Sequence, residues 1–245
     1  LMLVSAFIIG CGGSTVKNKG ELVVGTEPAF APFEFQAENS NEFIGFDMDL
    51  IKAIAKQMGY EKTKIQSMGF DALIPALEAK NIDVAIAGIT ITEERAQKVN
   101  FSKSYYKSGL AIVVQKDDNS IKGVNDLKGK RIAVQIGTTG AMEAEKIEGV
   151  KITTFNSNGE ACLELKNKAV DAVIGDLPVE AYFLKQEGNS YAKIVGDTLT
   201  SEDYGIAVAK TNSDLAKEVD KALATLKENG EYDKIYTKWF GELKK

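Results

Sequence analysis

The chain contains no histidine in its 245 residues. The commonest general base at neutral pH and the commonest zinc ligand are therefore missing, which excludes His-based triads and most zinc enzymes. Carboxylate and lysine chemistry stay open. Cysteine is nearly absent as well: Cys11 and Cys162 lie in unlike settings and do not make a disulfide framework. There is no excess of basic charge. With 30 Lys and Arg against 35 Asp and Glu, the formal net charge is -5, so no field gathers phosphates and a nucleic-acid partner is excluded. Nor is there a long apolar run: Leu1 to Gly10 (LMLVSAFIIG) is uncharged but too short to span a bilayer, and it suits the h-region of a secretory signal. It lacks a Met or a basic n-region in front, as a shortened signal would. No transmembrane pattern follows Phe240 and no helix-turn-helix pattern precedes Glu21, which sets aside a receptor's sensor module and a transcriptional effector domain.

What is present is an ordinary globular composition, 44% hydrophobic and 27% charged, in a chain long enough for one large domain or two modest lobes. The apolar start runs into Ile8-Ile9-Gly10-Cys11 and then Gly12-Gly13-Ser14. This resembles a bacterial lipobox, in which the Cys is acylated and becomes the mature N-terminus. Residues 1–11 are thus expected to be the end of a signal with its lipobox, Cys11 the lipid anchor, and residues 12–20 a flexible tether at a membrane surface. A buried strand or a cloning scar is the alternative for the apolar start.

From Glu21 onward short β-branched runs alternate with helical spacing, the pattern of an α/β protein with mostly parallel sheets. Strands are expected at Leu22–Gly25, Asp83–Ala87, Leu110–Val114, Arg131–Ile136, Lys151–Phe155 and Ala172–Ile174. Helices are expected at Asp47–Met58, Phe70–Lys80 with Pro75 inside, Glu93–Val99, Ala141–Glu148, Glu160–Lys168, Asp214–Lys227 and, past a break at Gly230, Glu231–Phe240. Asp47 and Asp49 fit the acidic first turn of a helix better than metal ligands, and no metal or cofactor is expected. Cys162 reads as a small buried hydrophobe on a helix. Ligands of such sheets bind beyond the carboxyl ends of strands. Gly88-Ile89-Thr90 and Gly137-Thr138-Thr139-Gly140 stand there, one in each half. No internal repeat is visible.

Six motifs occur in order: Thr26 to Phe35 (TEPAFAPFEF), Gly45 to Leu50 (GFDMDL), Phe70 to Leu77 (FDALIPAL), Ala87 to Arg95 (AGITITEER), Ala133 to Gly140 (AVQIGTTG) and Tyr232 to Gly241 (YDKIYTKWFG). Together they resemble the polar-amino-acid-binding proteins of ABC importers, the glutamine- and arginine-binding branch in particular, over nearly all of Glu21 to Lys245. The resemblance implies a periplasmic-binding-protein-like fold: two α/β lobes joined by a two-strand hinge, with the ligand in the cleft. Lobe one would be residues 21–104 with 205–245, lobe two 110–199, and the hinge 105–109 and 200–204. It also implies an extracytoplasmic, monomeric protein whose partners are a free L-amino acid and ABC permease subunits.

An α-amino acid needs a cation for its carboxylate and acceptors for its ammonium. Arg95, whose planar fork can meet two oxygens at once, is the candidate for the carboxylate, with a solvated surface Arg as the plain alternative. Asp176 is the candidate for the ammonium, or else a helix cap. The resemblance adds the Gly88 carbonyl for the ammonium and Thr90 donors for the carboxylate. The loop holding Thr138 and Thr139 offers backbone N–H groups, although alone it could equally be a phosphate cradle or a tight turn; it lacks the P-loop ending. Phe30 and Phe70 match the two rings that sandwich the ligand side chain in the family, and otherwise read as core.

Glu27 matches the acid that meets the far end of that side chain. Gln135 stands where glutamine-binding relatives carry a lysine, and Gly175 where they carry a histidine. A lysine at 135 would repel a cationic side chain, by ~4 kcal/mol gross for unit charges about 4 Å apart at an effective dielectric of about 20. A carboxylate, two flat rings and no competing cation suit a guanidinium. L-Arginine is therefore the expected ligand, with L-glutamine as the alternative and lysine or histidine third. The rival of another class is an enzyme on the same fold, a dehydratase or lytic transglycosylase, for which Glu27 and Asp176 are the only evident acid–base candidates.

Overall fold

The computed structural model describes residues 19–242. The apolar start, Cys11 and most of the 12–20 segment lie outside the described residues; Lys19 and Gly20 open the first strand rather than a tether. The chain begins with β1 (Lys19–Thr26) and a small antiparallel sheet of β2 (Ala29–Phe30), β3 (Glu34–Gln36) and β4 (Phe43–Ile44). It continues through α1 (Phe46–Gln57), β5 (Tyr60–Ser67), α2 (Leu73–Glu78), β6 (Val84–Ala85), α3 (Glu93–Lys98) and β7 (Val99–Phe101). The strand β8 (Tyr106–Ser108) then carries it away from this first sheet.

A second sheet follows, with β9 (Leu110–Gln115), β10 (Arg131–Gln135), α4 (Thr139–Glu145), β11 (Lys151–Phe155), α5 (Asn158–Lys166), β12 (Ala172–Asp176), α6 (Leu177–Gln186) and β13 (Ala192–Val195). The return strand β14 (Glu202–Tyr204) pairs antiparallel with β8. The chain finishes on the first sheet with β15 (Ala207–Ala209), α7 (Ser213–Glu228) and α8 (Glu231–Phe240). Two sheet-containing lobes joined by β8 and β14 make a periplasmic-binding-protein-like fold.

The sheets are β5-β1-β6-β15-β7 and β11-β10-β12-β9-β13. Four strands of each run one way. The exception is β15 in the first, antiparallel to β6 and β7, and β9 in the second, antiparallel to β12 and β13. These are the strands entered straight from a crossing, without the helical crossover that keeps its neighbours parallel. The mostly parallel expectation therefore holds for strand direction, while half of the pairings are antiparallel.

Helices cover both faces, so the central strands read as continuous apolar runs instead of alternating ones. Leu110 to Val114 are all at most 2% exposed. The edge strand β5 has no such run (YEKTKIQS), which is why sequence periodicity does not find it; its pairing with β1 makes it a strand. The expected helix at 70–80 is a 3-10 turn at Phe70–Ala72 followed by α2. Pro75 thereby falls in the first turn of α2, where no intrahelical bond is lost. Among the described residues no helix is long and apolar enough to cross a membrane.

The largest core lies under α1, α7 and α8 and gathers the aromatic side chains. Phe33, fully buried, packs its ring 4.9 Å from Tyr106 on β8, 5.3 Å from Tyr204 on β14 and 5.3 Å from Phe240 on α8. Both crossing strands are thus clamped to the first lobe by edge-to-face and tilted aromatic contacts. Phe33→Ala is expected to lower unfolding free energy by about 3–5 kcal/mol, read by urea denaturation. A loss below about 1 kcal/mol would contradict this anchoring.

Candidate functional site

The carboxyl ends of β1, β6, β10 and β12 face one another across the gap between the lobes, and between them lies a small cavity, about 10 Å³, closed down around its lining side chains. Its lining is Phe30, Phe70, Gly88, Thr90 and Arg95 from the first lobe and Gln135, Thr138, Thr139 and Asp176 from the second. Nine of the ten residues expected to hold a ligand are thereby brought together. Glu27, the tenth, lies just beyond, 7% exposed and beside Gln135.

Arg95 sits in the first turn of α3 and is 5% exposed, so the alternative of a solvated surface Arg is overturned. Its Nη1 donates to the Thr90 carbonyl at 2.7 Å and its Nη2 to the Gly137 carbonyl of the other lobe at 2.9 Å. The guanidinium carbon lies 5.3 Å from the centroid of the Phe70 ring. Burial disfavours its charge, and Asp176 and Glu202 in part restore it. A guanidinium has five N–H donors, so two carbonyl bonds leave donors to face the cavity.

Asp176 precedes α6 but makes no side-chain cap bond, so the helix-cap alternative also fails. Its carboxylate instead accepts from the Tyr204 hydroxyl. Burial raises its pKa to about 7, with Tyr204 opposing the rise. Thr138 does cap: its Oγ1 accepts from Ala141 N at 3.2 Å and donates to the Gln135 carbonyl at 2.8 Å. The loop at 137–140 is thus a tight strand-to-helix turn. Gln135 sends its Nε2 to the Asn156 carbonyl at 3.0 Å. Glu27 is raised to about 7, chiefly by burial, while Gln135 opposes.

Gly88 has φ +55, and a Cβ there would come within 2.8 Å of the Phe30 ring. Only glycine lets the ring lie against this backbone. The N–H of Gly88 donates to Asp47 Oδ2 at 3.0 Å, which fixes the direction of the Gly88 peptide. Asp47 also accepts from the Tyr105 hydroxyl at 2.7 Å and is fully buried. It is therefore a support beneath the site and not merely an acidic first-turn residue. Its second oxygen meets Glu34, whose carboxyl is held well above the usual range by burial and by Asp47. Both Glu34 oxygens and Asp47 Oδ1 are buried without another hydrogen-bond partner, which a proton held between the two carboxyls would relieve in part.

Gly175 has a structural reason of its own. A Cβ there would fall on Glu180 Oε1 and lie 2.8 Å from Asn158 Oδ1. Glu180, fully buried, takes the space beside this strand, and Cys162 donates to it from α5 at 3.5 Å. Cys162 is buried, as expected of a small hydrophobe, but is also a donor to this acid. Asp47, Glu34, Glu202 and Tyr204 were not among the expected site residues. Tyr204 and Glu202 had a positional signal as members of an expected crossing, and Glu34 and Asp47 as members of two of the six motifs. Among the described residues no group of His, Cys, Asp or Glu could hold a metal ion.

A family model for bacterial extracellular solute-binding proteins, family 3, matches residues 22–242. The arginine-binding extracellular protein ArtP of Bacillus subtilis (strain 168) is 34% identical over 252 residues, spanning 98% of this chain and 96% of its own. A solved structure of an ancestral arginine-binding protein bound to arginine is 50% identical, with TM-score 0.88, and spans 91% of this chain and 100% of its own. An ancestral arginine-binding protein bound to glutamine is 51% identical, with TM-score 0.87 and coverage of 91% and 99%.

The buried acids predict how stability depends on pH. Asp47 is raised to about 6, and Glu27, Asp176 and Glu180 to about 7. Between about pH 4 and 7 the folded protein keeps protons that the unfolded chain has released, so these groups make stability fall as pH rises through that window. The urea midpoint without added amino acid is expected to be lower at pH 8 than at pH 5. An equal or higher midpoint at pH 8 would contradict the burial of ionisable carboxyls here.

Proposed function

This chain belongs to the bacterial extracellular solute-binding proteins, family 3, and from that premise we propose that it captures L-arginine outside the cytoplasm and delivers it to the permease of an ABC importer. Capture is by closure: lobes 21–104 with 205–245 and 110–199 rotate about crossings at 105–109 and 200–204, as in other hinge-bending binding proteins. Arg95 receives the α-carboxylate, with Thr90 and the Thr138-Thr139 turn beside it. Asp176 and the Gly88 carbonyl receive the ammonium. Phe30 and Phe70 flank the side chain, and Glu27 with Gln135 meets its far end. Acylation of Cys11 would hold a monomer at the membrane surface beside the permease.

The observation that carries arginine over glutamine is Glu27: a buried carboxyl facing an amide and no cation, raised to about 7 by burial. A guanidinium would supply the missing charge and two N–H groups in a plane, while the neighbouring rings accept its flat faces. Glutamine satisfies the same carboxyl–ammonium set but leaves the acid without a counter-charge. Similarity to arginine-binding proteins supports the same choice, and the glutamine-bound ancestral structure makes glutamine the second ligand to test. No reaction is assigned. Asp176 and Glu27 are engaged in holding the two ends of an intact amino acid, and neither is left over to act on a bond.

A thermal-shift screen of ligand-stripped protein against the common L-amino acids tests the reading, since a ligand of the folded state raises the midpoint by mass action. The largest shift is expected with arginine and a smaller one with glutamine; a glutamine-first ranking would refute the cation argument, and no shift at all would refute amino-acid capture.

Glu27→Gln is expected to weaken arginine binding at least tenfold, the scale of a lost charge-assisted bond, and glutamine binding far less. Equal losses in titration calorimetry would overturn this account of selectivity. The ratio of arginine to glutamine affinity is also expected to fall as pH drops from 8 to 5, because protonating Glu27 removes the charge that only arginine uses. A ratio independent of pH would count against Glu27.

A further inference from the structure

Glu202 on β14 touches both halves of the cavity at once. It is 7% exposed. Its Oε2 accepts from Thr90 Oγ1 of the first lobe at 2.7 Å and from Thr139 Oγ1 of the second lobe at 3.1 Å. Its Oε1 accepts from Thr200 Oγ1, two residues earlier on the same crossing, at 3.0 Å. Thr90 and Thr139 both line the cavity, yet Glu202 itself belongs to the crossing, opposite Ser108 of β8. The strand is held on its first-lobe side by the Tyr204 ring, and Leu110 N donates to Thr200 Oγ1 at 3.1 Å on the second-lobe side.

Two consequences follow from this geometry. A hydroxyl has one proton. Given to Glu202, it leaves each threonine with only lone pairs for anything else in the cavity, so the carboxylate fixes how both hydroxyls face. Thr90 and Thr139 also move with different lobes, so they cannot both keep Oε2 when the lobes part. The lost bond is charge-assisted and lies in a dry place, where such bonds are strongest.

We propose that Glu202 is a positioning residue and closure latch: it orients the Thr90 and Thr139 hydroxyls and favours the closed arrangement, and so sets how long a ligand is retained and not which ligand is chosen. This rests on the reading of the cavity as an amino-acid site. Glu202 is not required to touch the ligand.

The test compares the full chain with Glu202→Gln, which keeps the shape and removes the charge, and with Glu202→Ala. L-Arginine and L-glutamine are the probes. Expected for Glu202→Gln is release of arginine about tenfold faster in stopped flow, a matching loss of affinity for both ligands, an unchanged arginine-to-glutamine ratio, and an unfolding midpoint close to that of the parent. In small-angle scattering without any ligand, Glu202→Ala is expected to have a larger radius of gyration than the parent. Release within twofold of the parent would overturn the latch, as would a changed ligand ratio, which would make Glu202 a specificity contact. If the parent binds neither amino acid, the ligand reading fails by itself, and the scattering comparison still decides the latch: coincident curves overturn it.

Discussion

Charge taken out of water must be paired, and the gap between the two lobes holds more acids than cations. Arg95 is the one basic side chain lining the cavity, while Asp176 lines it too and Glu27 and Glu202 stand at its margin. An isolated buried carboxylate is costly, and the ordinary response is to take up a proton. Glu27 and Asp176, both raised to about 7, are poised for that response. A zwitterion set between Arg95 and Asp176 leaves the balance unchanged. A cationic side chain corrects it. The same constraint explains why the site is split between lobes: Arg95 reaches the Gly137 carbonyl across the gap, Glu27 meets Gln135, and Glu202 holds one threonine from each side.

The scaffold makes such an arrangement possible by repeating itself. Both sheets place the second strand of their half at the edge, next to the first and then the third, and then the reversed strand that comes from a crossing. Carboxyl ends of corresponding strands consequently meet at the same gap. The crossings are not symmetric in their attachments. Phe33, Tyr106 and Tyr204 bind them into the first lobe, whereas Gly109 and Thr200 meet where they enter the second, and the Gly109 carbonyl accepts from Leu177 at 2.8 Å.

Much of this was legible in the sequence where the signal was local. Lys151–Phe155 and Glu231–Phe240 coincide with β11 and α8, because β-branched alternation and a Gly-bounded amphipathic run each state their own period. The cavity lining was legible mostly through the ordered motifs, which hold eight of its nine residues; Asp176, 81 positions after Arg95, lies outside them and was legible as an acid at the end of a strand. What was not legible depends on partners distant in the chain. The polar edge strand β5 is a strand only because β1 lies beside it. Asp47 has the look of an acidic first-turn residue, and its role under Gly88 needs Tyr105 and Glu34 in place. The two-lobe repetition leaves no trace as a sequence repeat, since it is a repetition of strand order and not of side chains.

The most direct measurement of the charge argument is the number of protons exchanged when arginine binds at pH 7, obtained from calorimetric enthalpies in buffers of different ionisation heat. If a cationic side chain is what the buried acids require, arginine binding expels protons from Glu27 and Asp176, and glutamine binding, which leaves Glu27 without a counter-charge, expels fewer. Equal release with both ligands, or none with arginine, would contradict the claim that the site is built around an unpaired carboxylate.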